Sequence, residues 1–537
     1  MTSNKKLNIK ATGIIAIAVM CSRLLGLVRE VLFNALFGTS SMGIFLVAFR
    51  APNLLRDLFA EGILSISFIT IFSKKLEIEG EHSAWRLASK MMTLTSVLMS
   101  ILSLLGVIFA KQLIHILAPG FSPADAHTTI LLTQIMYPFI LLVSLAALAM
   151  GMLNSKNVFG IPALASSFFN IGSIIGGALC GWWIDPHFGE KALTGLAIGT
   201  LVGGLFQFAV QIPSLKRVGF RFRPDFRWND SGVRSILILT IPGIIAASAV
   251  QINVLISSSF ASYIGKEAVT WLNSAFRLIQ FPIGIFGVAV ATITLPVLSR
   301  IAATKDHSGF GRTLGQAMRL VIFLTIPAAV GLWFFAKPII SLVYEHGKFY
   351  ANDSTQTAFA LQFYALGLVS YSCIKVLSPG FYAIDRKWIP MFVSFASIFI
   401  NVLLNYILIF TFKMQHSGLA LSTTVSATVN FLTLYFLMGR IHNLQTSRLL
   451  KEIIRCGIAG AMLGVVCFIT LNYFADFIYS RSFWIRGSSL FIAIIFACMA
   501  YLSTCLILRV ETARSVFVTM RQKIFKKIKY EYSYMKH

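Results

Sequence analysis

Residues 21–62 read CSRLLGLVREVLFNALFGTSSMGIFLVAFRAPNLLRDLFAEG, and this stretch decides what the chain can be. Two apolar arms, each long enough to cross a membrane, flank the small polar stretch GTSSMG, which reads as a short turn between two spanning helices. The arms nonetheless carry Arg23, Arg29, Glu30, Arg50, Arg56, Asp57 and Glu61. A charge at membrane depth costs at least about 2.5–3.5 kcal/mol, so such groups face a protein interior or a wet cavity. The majority here are arginines, whose planar fork suits phosphate oxygens. The hairpin therefore reads as half of a cationic, anion-binding cavity inside a lipid-embedded transporter.

The rest of the chain agrees. Of its 537 residues 57% are hydrophobic and only 12% charged, and the mean hydropathy is +0.78. That composition excludes an ordinary soluble domain and indicates an all-α polytopic membrane protein. Continuous apolar runs, without alternation, exclude a β-barrel. A net charge of +26 raises nucleic-acid binding, but the basic residues are confined to short gaps between apolar runs, as in cytoplasmic loops, so no nucleic-acid partner is expected. Lys5, Lys6 and Lys10 precede the first run, yet Arg23 and Arg29 interrupt it and no small-residue cleavage site follows, so the first helix is expected to be retained. The seven cysteines show no CxxC spacing and read as small core or lipid-facing residues. HExxH, GxSxG and P-loop patterns are missing from the sequence. The reading is a transporter, not an enzyme, without cofactor and driven by membrane potential or an ion gradient.

Apolar runs of about 20 residues mark about fourteen spans, the first starting near residue 11 and the second near residue 44. The even gaps are basic: Lys74, Lys75, Arg86 and Lys90; Lys216, Arg217, Arg221, Arg223, Arg227 and Arg234; Arg300, Lys305 and Arg312; Arg386 and Lys387; Arg440, Arg448 and Lys451. The odd gaps GTSSMG and APGFSPADAH have no Lys or Arg. Both termini are therefore expected in the cytoplasm.

A faint repeat relates the second and eighth spans. Ala48-Phe49-Arg50 returns as Ala275-Phe276-Arg277, Ser73-Lys74 as Ser299-Arg300, and Pro52 and Pro282 each follow shortly after the arginine. An offset of six spans keeps both copies in one orientation, so the repeat is parallel, about an axis along the membrane normal. The expected organisation is an N-lobe over 1–225, a C-lobe over 226–445, an extra helix pair over 446–510, and a basic cytoplasmic tail over 511–537 whose RQKIFKKIKY suits an anionic inner surface.

Rise per residue puts Arg23 and Arg56 at about 17–18 Å, near the midplane, with Arg29, Arg50 and Arg277 above them. Arg23 and Arg29, six apart, point about 120° from each other, and Gly26 is the position where a bend would bring them together. Asn53, Arg56 and Asp57 share a face. The structural alternative is internal pairing, with Arg56 meeting Glu61 or Arg23 meeting Asp57; the excess of cations still leaves charge for a ligand. Lys375, in mid-span, is either functional or snorkelling. Gln251, Asn253, Asn401 and Asn405 read first as interhelical hydrogen-bonding groups. Gln251, Asn401 and Asn405 are also the weak candidates for an ion site.

SRLLGLVRE, FRAPNLLRDLFAEG and FRLIQFPIGIFGVAVATITLPVLSR resemble the bacterial lipid II flippase family MurJ (MviN), within the multidrug/oligosaccharidyl-lipid/polysaccharide (MOP) superfamily. The likeness extends over nearly the whole chain. It implies two six-helix lobes around a cationic cavity, two further helices forming a groove for a polyprenyl tail, and export of lipid II, the undecaprenyl-diphosphate-linked peptidoglycan precursor, by alternating access. It also implies that the family's important arginines fall on Arg23, Arg29, Arg56 and Arg277, with Glu61 in the same motif. The substrate-binding set is then Arg23, Arg29, Arg50, Asn53, Arg56 and Arg277, and Glu30, Asp57 and Glu61 are structural or coupling groups. Membrane lipids and cell-wall synthesis proteins are the implied partners. Two departures stand out: Gly43 where many relatives have Asp, and Phe276 before Arg277 where Asp is usual. Second-lobe helices also lack the carboxylates with which some relatives bind sodium. The rivals are an O-antigen-type or drug exporter of the same architecture and a non-transporting cell-wall scaffold. A drug-cation exporter needs acidic groups in its cavity, and a scaffold would tolerate loss of the arginines.

Overall fold

The computed structural model describes residues 9–60, 63–480 and 482–518, and among these every regular element is helical. Glu61, Lys5, Lys6 and the basic stretch 521–530 lie outside the described residues. Packing divides the chain into two compact units, Met1–Thr270 with His346–Phe349, and Trp271–Glu345 with Tyr350–His537.

The first unit runs α1 (Ile9–Leu55), a π-helical turn (Arg56–Ala60), α2 (Ile63–Ile78), α3 (Glu81–Ile108), α4 (Ala110–Leu117), α5 (Pro123–Met136), α6 (Phe139–Ser155), α7 (Gly160–Ile184), α8 (Leu193–Ala209), α9 (Ile212–Arg217) and α10 (Ser231–Ile264). Within α1 only Gly38 leaves helical geometry, at φ 78° and ψ 164°, a region that favours glycine. The second arm thus begins at Thr39, earlier than the apolar pattern alone places it, because SSMG is short and polar yet compatible with a helix. Starts are capped as the chemistry demands: Ser122 accepts from the Asp125 N–H with Pro123 following, and Asp230 accepts from the Gly232 N–H. Between α7 and α8 the backbones nearly touch; a Cβ on Gly199 would lie 2.2 Å from the Gly177 nitrogen. Phe68, Phe72, Leu87, Met91, Leu148 and Met152 form the core of α2, α3 and α6.

The second unit contains most of α11 (Lys266–Pro282), a π turn (Ile283–Val288), α12 (Ala289–Ala303), α13 (His307–Phe334), α14 (Ala336–Tyr344), α15 (Ala351–Leu366), α16 (Leu368–Ala383), α17 (Trp388–Tyr406), a third π turn (Ile407–Thr411), α18 (Gln415–Ile441), α19 (Thr446–Tyr473), α20 (Ala475–Ile478) and α21 (Phe483–Ile507). Leu314, Met318, Leu377, Phe381 and Met438 fill its centre. The last two long helices join it through Tyr501, whose hydroxyl donates to the Phe323 carbonyl at 2.9 Å. A buried ion pair does the same, with Arg319 Nε 3.9 Å from Glu452 Oε2 and the Thr512 N–H donating to Glu452 Oε1 at 3.0 Å.

Trp183, Ile293, Phe399, Tyr473 and Ile507 are among many large apolar side chains left exposed, as on helices whose solvent is lipid. Among the described residues 11 helices are long and apolar enough to cross a membrane, or 12 if the bent pair Ala351–Leu366 and Leu368–Ala383 is one span. The chain is a multi-pass membrane protein.

Candidate functional site

The charged hairpin is built on three pieces: the arm 9–37 with Arg23, Arg29 and Glu30, the arm 39–55 with Arg50 and Asn53, and the π turn with Arg56 and Asp57. In the first arm Gly26 keeps helical backbone geometry. Arg23 is exposed, Arg29 half-buried and Glu30 buried. The Arg29 guanidinium lies over the Phe169 ring, 5.1 Å from its centroid, and Phe169 is backed by Phe139. This cation–π seat orients the group and leaves its edge to hydrogen-bond elsewhere.

At the π turn the polar groups converge on one carboxylate. Arg56 donates to Asp57 Oδ1 through Nε at 3.3 Å and Nη2 at 3.1 Å. Asn53 Nδ2 donates to Asp57 Oδ2 at 3.4 Å, and Gln251 Nε2, from α10, donates to the same oxygen at 3.2 Å. The structure therefore joins Asn53, Arg56 and Asp57, as their spacing predicts. In place of the alternative pairing of Arg23 with Asp57, Asp57 meets Arg56. Adjacent side chains diverge on a regular α-helix, but a long guanidinium can fold back across a wider π turn. Both side chains remain part-exposed, at 21% and 29%.

Arg277 is half-buried on α11, the seventeen-residue helix that ends at Pro282. Its neighbour Phe276 packs edge-on against Tyr364 and Tyr371, with centroids 5.3 and 6.3 Å away. An aromatic seat thus stands directly beside Arg277. Gly43 has a steric reason: a Cβ there would lie 1.9 Å from the Lys266 carbonyl oxygen. Around it Thr270 Oγ1 donates to the Thr39 carbonyl at 2.7 Å, and Lys266 Nζ pairs with Asp125 Oδ1 at 2.7 Å. A short strap, 346–349, closes the same end. The Lys348 N–H donates to the Ala35 carbonyl at 2.8 Å, and its Nζ to the His187 and Phe188 carbonyls at 2.7 and 2.9 Å.

The amide candidates occupy two places. Gln251 belongs to the Asp57 cluster. Asn401 and Asn405 form a buried ring with Ser422: Asn405 Nδ2 donates to Asn401 Oδ1 at 3.1 Å, Asn401 Nδ2 to Ser422 Oγ at 3.4 Å, and the Ser422 hydroxyl to Asn405 Oδ1. These amides are engaged with one another across α17 and α18. Among the described residues no group of three or more His, Cys, Asp or Glu could hold a metal ion. Lys375 is exposed on α16. Sequence reasoning missed the π turns at Arg56–Ala60 and Ile283–Val288 and the 346–349 strap. Pro52 and Pro282, just ahead of the two π turns, were the available signal.

A family model described as lipid II flippase MurJ matches residues 33–487. The chain belongs to the MurJ family. Proteins named probable lipid II flippase MurJ from Vibrio cholerae and from Buchnera aphidicola (Acyrthosiphon pisum) are each 34% identical, over 86% and 85% of this chain and 89% of theirs. The lipid II flippase MurJ of Burkholderia cenocepacia is 35% identical over 78% of this chain and 81% of its own. A solved MurJ in an inward closed conformation superposes with a TM-score of 0.75 at 26% identity, covering 94% of this chain and 99% of that one. An inward-facing multidrug MATE transporter of the MOP superfamily shares the fold alone, at a TM-score of 0.66 and 14% identity over 81% of this chain and 98% of its own. The family match begins at residue 33, so it takes in Arg50, Asn53, Arg56, Asp57 and Arg277, while Arg23, Arg29 and Glu30 lie ahead of it.

Proposed function

We propose that this MurJ-family flippase moves lipid II from the inner to the outer leaflet of the cytoplasmic membrane by alternating access, its cavity cations neutralising the diphosphate. The observation that carries the arginine role is Arg56: a guanidinium at an irregular helical turn, part-exposed and held in orientation by Asp57. Arg23, Arg29, Arg50 and Arg277, with Asn53, complete the anion-binding set, and Glu30, Asp57 and Glu61 balance it. The polyprenyl chain stays in lipid along the helix pair within 446–510 while the head group crosses. No cofactor takes part. The membrane potential supplies bias, about 2.3 kcal/mol per charge per 100 mV.

Fourteen spans follow if Ile17–Leu58 is divided at Gly38, since its 42 residues would extend about 63 Å against a hydrocarbon core of about 30 Å, and if α10 and the bent pair are counted too. An even count and the basic gaps put both termini in the cytoplasm. The lobes 1–225 and 226–445 are supported by element order. The helix starting at Glu81 is answered by one at His307, that at Gly160 by one at Trp388, and the π turn at Arg56 by one at Ile283. Repeat and packing divide the chain one helix apart, α10 being counted in the second lobe but packed in the first unit.

Arg56→Ala and Arg277→Ala should each abolish lipid II flipping while leaving protein levels normal. The measurement is leaflet-specific labelling of lipid II in cells depleted of the wild-type protein. A variant that sustains full flipping would remove that residue from the clamp.

A further inference from the structure

Between α9 and α10 the chain runs KRVGFRFRPDFRW over 216–228, a basic stretch interleaved with aromatics and without regular structure beyond residue 217. The segment is pinned down. Phe220 is buried with its ring 5.4 Å from Trp85, Trp228 packs on the same core, and the Asp225 N–H donates to Thr93 Oγ1 at 3.2 Å. Further along, Lys90 Nζ pairs with Asp230 Oδ2 at 2.7 Å.

Lys90 and Thr93 fix the depth of the segment. Helix α3 changes there from EHSAWRLASK to MMTLTSVLMS, from polar to apolar, which is the level of lipid headgroups. At that level Phe222 and Phe226 are 49% and 65% exposed, and Lys216, Arg217, Arg221 and Arg223 are exposed as well. None of these four cations takes part in an ion pair among the described residues. Asp225 is already committed, accepting from Arg227 through Nε and Nη2, each at 2.9 Å. That guanidinium holds its carboxyl down at about 2, and the carboxylate's charge is matched within the segment by Arg227.

We propose that residues 216–228 dock onto anionic phospholipid headgroups, with Arg217, Arg221 and Arg223 taking the phosphates and Phe222 and Phe226 entering the acyl boundary. Guanidinium forks match phosphate oxygens, and exposed aromatic rings are favoured where one side is apolar and the other wet. The anchors on α3 hold the segment at the interface before any lipid arrives.

The test uses the purified full chain, titrated with phosphatidylglycerol or phosphatidylcholine and read by native mass spectrometry. The wild type should prefer phosphatidylglycerol, and about 0.5 M salt should erase the preference. R217Q/R221Q/R223Q should lower the phosphatidylglycerol affinity by roughly five-fold for each cation removed, and R217K/R221K/R223K should keep most of it. Equal affinity for the two lipids, a salt-independent preference, or full binding by the glutamine variant would overturn the proposal. Loss of undecaprenyl diphosphate binding in step with phosphatidylglycerol would also overturn it, assigning the segment to substrate capture. If the triple glutamine variant fails to fold, R221Q and R223Q made singly carry the same arm, each expected to lose roughly five-fold in phosphatidylglycerol affinity.

Discussion

The Asp57 carboxylate accepts from Arg56, Asn53 and Gln251 at once. Under the proposed function, a diphosphate would have to draw Arg56 away from a partner it already has. Such competition is useful in a transporter, because a cation that binds too well does not release. Asp57→Asn should keep the shape of the cluster but remove its charge. Undecaprenyl diphosphate should then bind about ten-fold more tightly, the worth of one charge-assisted hydrogen bond, while flipping slows. Lipid titration and a flipping assay on the same preparation check both halves; unchanged affinity would mean that Asp57 does not compete with the ligand.

At the scale of elements, close approaches matter more than charges. Gly43 allows the Lys266 backbone to sit against the head of the second arm. Gly43→Asp should be harmful, lowering the thermal midpoint and flipping together, because its Cβ would run into the Lys266 carbonyl oxygen. The Arg319–Glu452 pair acts between α13 and α19. Glu452→Ala should cost about 3–5 kcal/mol in thermal unfolding, since it strands a buried guanidinium, whereas replacing both residues by Met and Leu should be nearly neutral. Much at this scale was legible in the sequence. The apolar runs placed most helices, and the spacing of Asn53, Arg56 and Asp57 put those three on the one face where the structure joins them. The ion pairing itself was not legible. Asp57 turns to its own neighbour because of a π turn, and hydropathy carries no record of how wide a helical turn is. Gly38 against Gly26 is a similar case: either glycine permits a break, and only the packing of Lys348 and the Lys266 turn favours the later one.

Over the whole molecule, each compact unit has its own core and its own share of the cations: Arg23, Arg29, Arg50 and Arg56 in one and Arg277 in the other. The division is not contiguous in sequence, since His346–Phe349 belongs with Met1–Thr270. This has a consequence for biosynthesis. When Thr270 leaves the ribosome, the amino-terminal unit still lacks the piece that caps Ala35, His187 and Phe188. At 5–20 residues per second the wait for the remaining roughly 75 residues is about 4–15 s. During that time the carbonyls that will receive Lys348 must be satisfied by water or by a chaperone. Residues 1–305 produced alone should therefore be degraded quickly, and co-production of 306–537 should rescue them, as a pulse-chase experiment would read. Equal lifetimes with and without the second fragment would mean that the nascent half matures without its late-arriving clasp.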